Sequence, residues 1–335
     1  MIKDIVGQLI KKKDLSFLQM QEAMQEILSG TTDVADIVAF LTSLNDKGET
    51  VEELTCAVQM MLKYVEPIVV DKPNILDTCG TGGDKAGTFN ISTVCAFVAA
   101  GAGVTVAKHG NRSVSSKCGS ADILEALGVN ILMGREKIKR ALEEIGIAFL
   151  FAPNLHPAMK FVAQARKQIA HKTMFNILGP LINPARSTNQ LIGVYDKRWT
   201  RPLAEVLCSL GTAHVLVVHG ADGLDEVTTT AETFVSEGCG GVLKDYKIAP
   251  EDFGFSRSTL PDISGGDIQE NVSIVLDILR GSSSPKTDIV LLNAGCAIFA
   301  ADKAKTIAEG ITLARRSVDS KEALKKLELL KEYSK

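Results

Sequence analysis

Residues 74 to 93 read NILDTCGTGGDKAGTFNIST, and the order of signals in this stretch decides the fold. A short apolar run ends in a loop holding Gly80, Gly82 and Gly83 between Asp77 and Asp84, and NISTVCAFVAAG then takes up helical spacing. The reading is strand, loop, helix. Glycine costs backbone entropy wherever it is ordered, so such a cluster means that the main chain turns sharply or approaches something closely. On the glycines alone, a tight strand-to-helix turn and a phosphate-binding nest account for the loop equally well.

The same alternation continues outward. The runs VTVAKHG, IAFLFAP, QLIGVY, HVLVVHG and IVLLNAG are separated by the helical stretches SADILEALG, REKIKRALEEIG and RPLAEVLCSLG. This predicts a mainly parallel sheet covered by helices, an α/β fold. Residues 229 to 262 are less regular, and ETFVSEG and GVLKDYKIAP read as antiparallel strands. Before Pro67 only helix signals occur. SFLQMQEAMQEILSG carries a capping box at Ser16 and Gln19 and a stop at Gly30, and TVEELTCAVQMMLKYVEP repeats the box at Thr50 and Glu53. The stripe containing Met20, Met24 and Met61 reads as core packing or a helix interface. The expected architecture is a small all-helical domain over residues 1–70 and a larger α/β domain over 71–335. The serine-rich run SSSP at 282–285 reads as an ordinary loop.

Composition removes whole classes of function. Lys plus Arg number 37 and Asp plus Glu 40, a net charge of -3. No bulk basic field exists to hold nucleic acid or an anionic membrane, and any anion needs a local site. The seven cysteines, an odd count with no CxxC pair, argue against a disulfide framework and a thiolate zinc site. No charged and apolar leader opens the sequence, and VCAFVAAGAGVTVA is too short to span a bilayer. A soluble cytoplasmic protein is expected.

Candidate chemistry gathers where strands hand over to helices, the edge at which α/β sheets bind ligands. In the first loop Asn90, Ser92 and Thr93 fall at a helix N-terminus, where dipole and open N–H groups favour phosphate. Neither a Walker lysine nor GxGxxG spacing is present. The second segment, KHGNRSVSSKCGSAD, concentrates Lys108, His109, Arg112 and Lys117 with Asn111, Ser113, Ser115, Ser116 and Ser120, a set suited to a multiply charged anion. The third, GADGLDEVT, pairs Asp225 with Glu226, as Mg²⁺ bound to a polyphosphate requires. A surface-charge pair is the bland alternative. In the fourth, FAPNLHPAMKFVAQARKQIAHKTMFNILGPLINP, His156 alone reads as a helix cap, Arg166 follows on the same helix, and NILGPLINP suits a hinge or pocket wall.

Taken together, DTCGTGGD with NIST, KHGNRSVSSKCGSAD, FAPNLHPAMK, TMFNILGPLINPA and the DGLDE pair resemble the anthranilate phosphoribosyltransferases in order and spacing. Similarity continues through GGDIQENVSIVLDILRG and DIVLLNAGCAIF and spans essentially the whole chain. The resemblance implies transfer of phosphoribose from 5-phosphoribosyl 1-diphosphate (PRPP) to anthranilate in tryptophan synthesis, on the fold type shared with nucleoside phosphorylases. It implies a helical domain to which residues of about 165–190 return, hinges, and homodimerisation through the helices. Gly80, Gly83, Asp84, Thr88, Asn90, Ile91, Ser92, Thr93, Lys108, His109, Gly110, Asn111, Arg112, Ser113, Ser115, Ser116 and Ser120 would contact PRPP. Ser92, Asp225 and Glu226 would hold Mg²⁺, two ions per subunit, and Lys108, Asp225 and Glu226 would carry catalysis. Gly80, Asn111 and Arg166 would face anthranilate, with His109, His156 and Pro180 lining its approach. Association with an anthranilate synthase component is a further expectation. Two departures from the family pattern are Lys172, preceded by His171, where arginine is expected, and Cys118 where serine is usual. The alternatives are a pyrimidine nucleoside phosphorylase and a non-catalytic nucleic-acid-binding paralogue.

Overall fold

The computed structural model describes residues 1–84, 86–113 and 118–335. Four helices open the chain: α1 (Ile2–Ile10), α2 (Phe17–Ser29), α3 (Val34–Lys47) and α4 (Val51–Lys63). Both expected capping boxes form, Ser16 with Gln19 on α2 and Thr50 with Glu53 on α4, and Gly30 ends α2 in the left-handed region at φ 78°. Glu53 does more than cap. Fully buried, it accepts from the N–H groups of Leu15 and Thr50 and from Lys47 Nζ, so one carboxylate ties the α1–α2 connection to the start of α4.

The remainder runs β1 (Leu76–Gly80), α5 (Ile91–Gly101), β2 (Val106–Gly110), α6 (Ser120–Ala126), α7 (Arg135–Glu144), β3 (Ile147–Phe151), α8 (Ala152–Leu155), α9 (Lys160–Gln168), β4 (Asn189–Gly193), α10 (Thr200–Ser209), β5 (His214–Gly220), β6 (Thr233–Cys239) and β7 (Val242–Ile248). Helices α11 (Ile268–Leu279), α12 (Pro285–Ala300), α13 (Ile307–Asp319) and α14 (Glu322–Ser334) close it. Among the described residues the sheet has seven strands in the order β3-β2-β1-β4-β5-β6-β7. The first five are parallel, and β6 and β7 add the expected antiparallel pairs. Successive connections run one way from β1 to β3 and the other way from β4, so the order reverses between β1 and β4. That reversal opens a crevice at the strand ends.

Side chains alternate across this sheet between two cores. On β4 and β5, Leu191, Leu216 and Val218 join α5, α12 and the C-terminal helices, whereas Ile192, Val215 and Val217 face the other way. The second core continues through α10 into α1–α4, and α9 with residues 174–182 packs into the same cluster. One expectation fails here. IVLLNAG is not a strand but the centre of α12, and its residues are buried all round. An evenly apolar run carries no period by which helix and strand can be told apart. SSSP, read as an ordinary loop, is the start signal of that helix: Ser284 Oγ accepts from Thr287 N and Pro285 takes the first helical position. Among the described residues no helix is long and apolar enough to cross a membrane.

Away from the crevice, at the opposite end of β5, buried His214 bonds Asp302 Oδ1 at 2.8 Å and Glu237 Oε1 at 3.2 Å, joining β5, β6 and the turn after α12. Burial pulls the imidazolium pKa down, but the two carboxylates outweigh it and the net shift from 6.5 is upward. Tyr246 and Lys244 also act on Glu237, whose own pKa is lowered chiefly by the His214 bond. A raised folded-state pKa gives stability that is complete below the unfolded value and is lost as pH rises through the folded one. The Tm difference between the wild-type chain and His214→Gln should therefore be widest below the ordinary imidazole value of 6.5 and shrink as pH rises above it. A difference that is constant across this range rules the charged pair out as a source of stability.

Candidate functional site

The crevice between β1 and β4 is bounded by the two loops singled out in the sequence and by the acidic loop after β5. In the first loop Gly82 and Gly83 take φ values of 67° and 82°, a region other residues rarely enter. The loop is fixed at both ends: Thr81 N donates to the Gly193 carbonyl, and Gly265 N donates to the Gly87 carbonyl beside the Thr88–Ser264 bridge. At its far end α5 starts at Ile91, which is buried in the core. Asn90 Nδ2 donates to the Cys118 carbonyl and so stitches the first loop to the second.

Lys108, on β2, reaches across to β1. Its Nζ donates to the Thr78 carbonyl at 2.5 Å and to Ser92 Oγ at 3.2 Å, and Thr78 Oγ1 donates to the Ser92 carbonyl. Asp77 holds this arrangement from below by accepting from His109 N and Asn183 Nδ2; burial pushes its pKa up to about 6 although Lys108 opposes the shift. Above them lies the acidic loop. Asp225 Oδ2 accepts from Gly82 N at 2.6 Å, and the Ser92 main chain beside Glu226 opposes the rise of its pKa. Burial raises both carboxyl pKa values, first of all, with the charge of Asp84 adding to the shift of Asp225 and that of Asp225 to the shift of Glu226. Ser92, Lys108, Asp225 and Glu226 therefore share one site.

That loop can lie so close because Gly193 ends β4. A Cβ there would stand 1.5 Å from the Asp225 carbonyl oxygen, and one on Gly80 would stand 2.6 Å from Asp225 Oδ2. Nothing in QLIGVY marked Gly193 as a site residue. The paired signal is a glycine closing each of two adjacent strands, legible only once their pairing is known.

In the second loop Gly110 faces Ser120 Oγ, which donates to the Asn111 carbonyl. Arg112 is turned towards α6, bonded to Asp122 and Glu125, while Ser113 N donates to Asp122. Ser115, Ser116 and Lys117 lie outside the described residues. His156 holds the N-cap position of the turn Pro157–Met159, but its side chain makes no cap bond there: its Nε2 lies 3.0 Å from His109 Nε2, both rings being buried. Burial holds both uncharged, at pKa values of about 3 for His109 and about 4 for His156. The Gly179 main chain opposes the fall at His109, and one hydrogen is shared between the two facing Nε2 atoms. Pro180 sits in the buried turn beside them, its carbonyl held by Gln190 Nε2. Arg166, in the last turn of α9, stands over Phe175 and among the described residues makes no hydrogen bond or ion pair; burial lowers its pKa. Lys172 reaches the glycine loop itself, donating to the Gly83 carbonyl at 3.1 Å and covering the Tyr195 ring. This contact gives the departure at Lys172 a place in the site that sequence reading did not foresee.

The donors converging here are oxygens, which suits Mg²⁺. Among the described residues no three His, Cys, Asp or Glu side chains form a ready metal cage. Mg²⁺ that keeps water and substrate phosphates in its shell needs only one or two carboxylates, and the mutually repelling pair Asp225 and Glu226 fits that ion.

The sequence matches the glycosyl transferase family a/b domain over residues 72–324 and the glycosyl transferase family helical bundle domain over residues 3–65. An anthranilate phosphoribosyltransferase of Persephonella marina is 52% identical over 337 residues, covering 100% of this chain and 99% of the relative. The crystal structure of anthranilate phosphoribosyltransferase from Thermus thermophilus superposes with a TM-score of 0.94 at 39% identity, covering 99% of each chain. The Saccharomyces cerevisiae enzyme in complex with PRPP and Mg superposes with a TM-score of 0.90 at 28% identity, covering 99% of this chain and 97% of that one.

Since main chain cannot swing aside as a side chain can, Gly193→Ala must displace the loop bearing Asp225 and Glu226. Glycosyl-transfer activity (kcat/KM) should fall by at least about 100-fold with the far-UV spectrum retained, whereas Gly134→Ala, with nothing within 4 Å of its Cβ, should stay near wild type. Equal activity in the two variants would show that this approach does not set the site.

Proposed function

The chain belongs to the anthranilate phosphoribosyltransferase family, and we infer from that membership that it transfers the 5-phosphoribosyl group of PRPP to the amine of anthranilate. The products are N-(5-phosphoribosyl)anthranilate and pyrophosphate, in tryptophan biosynthesis. The observation that carries this reading is at the start of α5, where Asn90 Oδ1 and Thr93 Oγ1 are buried beside the glycine loop and Lys108 and, among the described residues, have no hydrogen-bond partner. Unpartnered buried polar atoms are costly, and a ribose phosphate supplies the hydroxyls and oxygens that would engage them.

In the proposed mechanism the glycine loop and the N-terminus of α5 bind PRPP through main-chain N–H groups. Lys108, held by Thr78 and Ser92, presents its ammonium to the departing pyrophosphate. Mg²⁺ held by Asp225, Glu226 and Ser92 supplies further charge neutralisation to the diphosphate, and two ions per subunit are part of the proposal. The aniline nitrogen of anthranilate has an available lone pair at neutral pH, so no strong general base is required. Arg166, partly buried and without an ion-pair partner among the described residues, is the cation proposed for its carboxylate. The uncharged His109–His156 pair forms an aromatic wall that adds no competing charge. Closure of the helical part over the crevice would exclude water as a rival acceptor. A homodimer through the helices, a cytoplasmic location and contact with an anthranilate synthase component complete the reading. Family membership lends no support to the nucleoside phosphorylase or nucleic-acid-binding alternatives.

Mixing the chain with Mg²⁺, PRPP and anthranilate should extinguish anthranilate fluorescence, and a chelator should stop the loss. Phosphorolysis of thymidine without any consumption of anthranilate would overturn the assignment. On the acceptor side, a charge-assisted hydrogen bond is worth about 1.5 to 3 kcal/mol, so Arg166→Ala should weaken anthranilate use about 10- to 150-fold while PRPP binding stays nearly constant. If Lys172→Ala damages anthranilate use and Arg166→Ala does not, the acceptor pocket lies at Lys172 instead.

A further inference from the structure

Glu226 is followed by Val227, and both main-chain groups of Val227 are taken by one side chain. Asn293 Oδ1 accepts from Val227 N at 2.9 Å, and Asn293 Nδ2 donates to the Val227 carbonyl at 2.6 Å. The second hydrogen of the same amide goes to the Ile289 carbonyl of its own helix at 2.8 Å, which fixes the side chain against α12. Asn293 has no exposed surface and sits in a helix whose other buried residues are almost all apolar. A side-chain amide in such surroundings is unfavourable unless every polar atom is matched. Here they are matched by the residue next to the acidic pair and by the helix itself.

We propose that Asn293 is a positioning residue for the reaction: it pairs with Val227 as a neighbouring strand would and so sets the depth at which Asp225 and Glu226 meet the cation. The inference rests on the reading of those carboxylates as the Mg²⁺ ligands. Among the other contacts that hold the same loop, two stand out. Asp222 takes Leu224 N and the hydroxyls of Thr228 and Thr230, and Gly193 receives the Asp225 main chain. Both of these lie at the sheet edge that carries the loop. Asn293 fastens it to a helix 66 residues further along the chain.

The test is the Mg²⁺ concentration at which PRPP binding is half developed, measured by calorimetry on the full chain, with activity as a second readout. Asn293→Ala should raise that midpoint about 5- to 10-fold, the loss expected from one or two hydrogen bonds, and lower kcat while leaving the anthranilate KM nearly unchanged. Val290→Ala, a core truncation on the same helix, should lower Tm without moving the midpoint. The double variant Asp225→Asn, Glu226→Gln should move it further than either. If the double variant shifts the midpoint and Asn293→Ala only lowers Tm, the inference is overturned and the carboxylate reading stands. If neither shifts it, the carboxylate reading fails and the inference falls with it. Should Asn293→Ala not accumulate in folded form, Asn293→Ser carries the same comparison.

Discussion

Main chain lies against main chain where β4 ends, and the site depends on this approach. The space that Gly193 leaves is filled by the carbonyl of Asp225, and the space over Gly80 by its carboxylate. Because strands β1 and β4 are hydrogen-bonded neighbours on the two sides of the topological reversal, the acidic loop that descends here closes the place where the connections leaving them part. Its carboxylate then meets the Gly82 amide, and the loop glycines adopt left-handed conformations that a side chain would oppose. Short distances that look separate thus follow from the missing Cβ atoms of two adjacent strand ends.

Electrostatically the crevice is unbalanced on purpose. Asp77 and Glu226 feel the buried ammonium of Lys108, Asp84 and Asp225 add their charge to Glu226, and burial drives Asp77, Asp225 and Glu226 upward. The chain keeps its histidines neutral in the same neighbourhood, where two cations would have been the simpler remedy. An arrangement that repels itself without its ligand is unfavourable for folding and favourable for recognition, the trade expected where a site must discriminate among charged molecules.

Most of the fold was legible from periodicity. Five strands, the antiparallel excursion and two capping boxes follow from alternation and from residue chemistry at helix starts. Loops rich in Gly, Lys and Asp marked the crevice because those residues are unfavourable to order without a partner. What escaped detection is matched only in three dimensions. IVLLNAG is apolar on every side because α12 is enclosed, so no period survives to name it a helix. Glu53 looked like half of a capping box and is also the partner of Leu15 and Lys47. His156 looked like a cap because its partner, His109, lies on another strand end. Gly193 and Asn293 carry no chemistry of their own, and their meaning is a distance to a residue far along the chain.

The second hydrophobic core has a consequence for what can be cut, exchanged or inherited. Its walls come from the first four helices, from a later passage through α9 and residues 174–182, and from one face of β4, β5 and α10. A break near residue 70 therefore separates the two halves of one interior instead of two self-sufficient modules. Each fragment would carry a large apolar surface made for the other, which favours complementation between co-expressed pieces and penalises either piece alone. By the same reasoning a helical segment borrowed from a distant homologue arrives without the returning passage and the sheet face it was shaped against. The durable unit of exchange in this architecture is the whole chain.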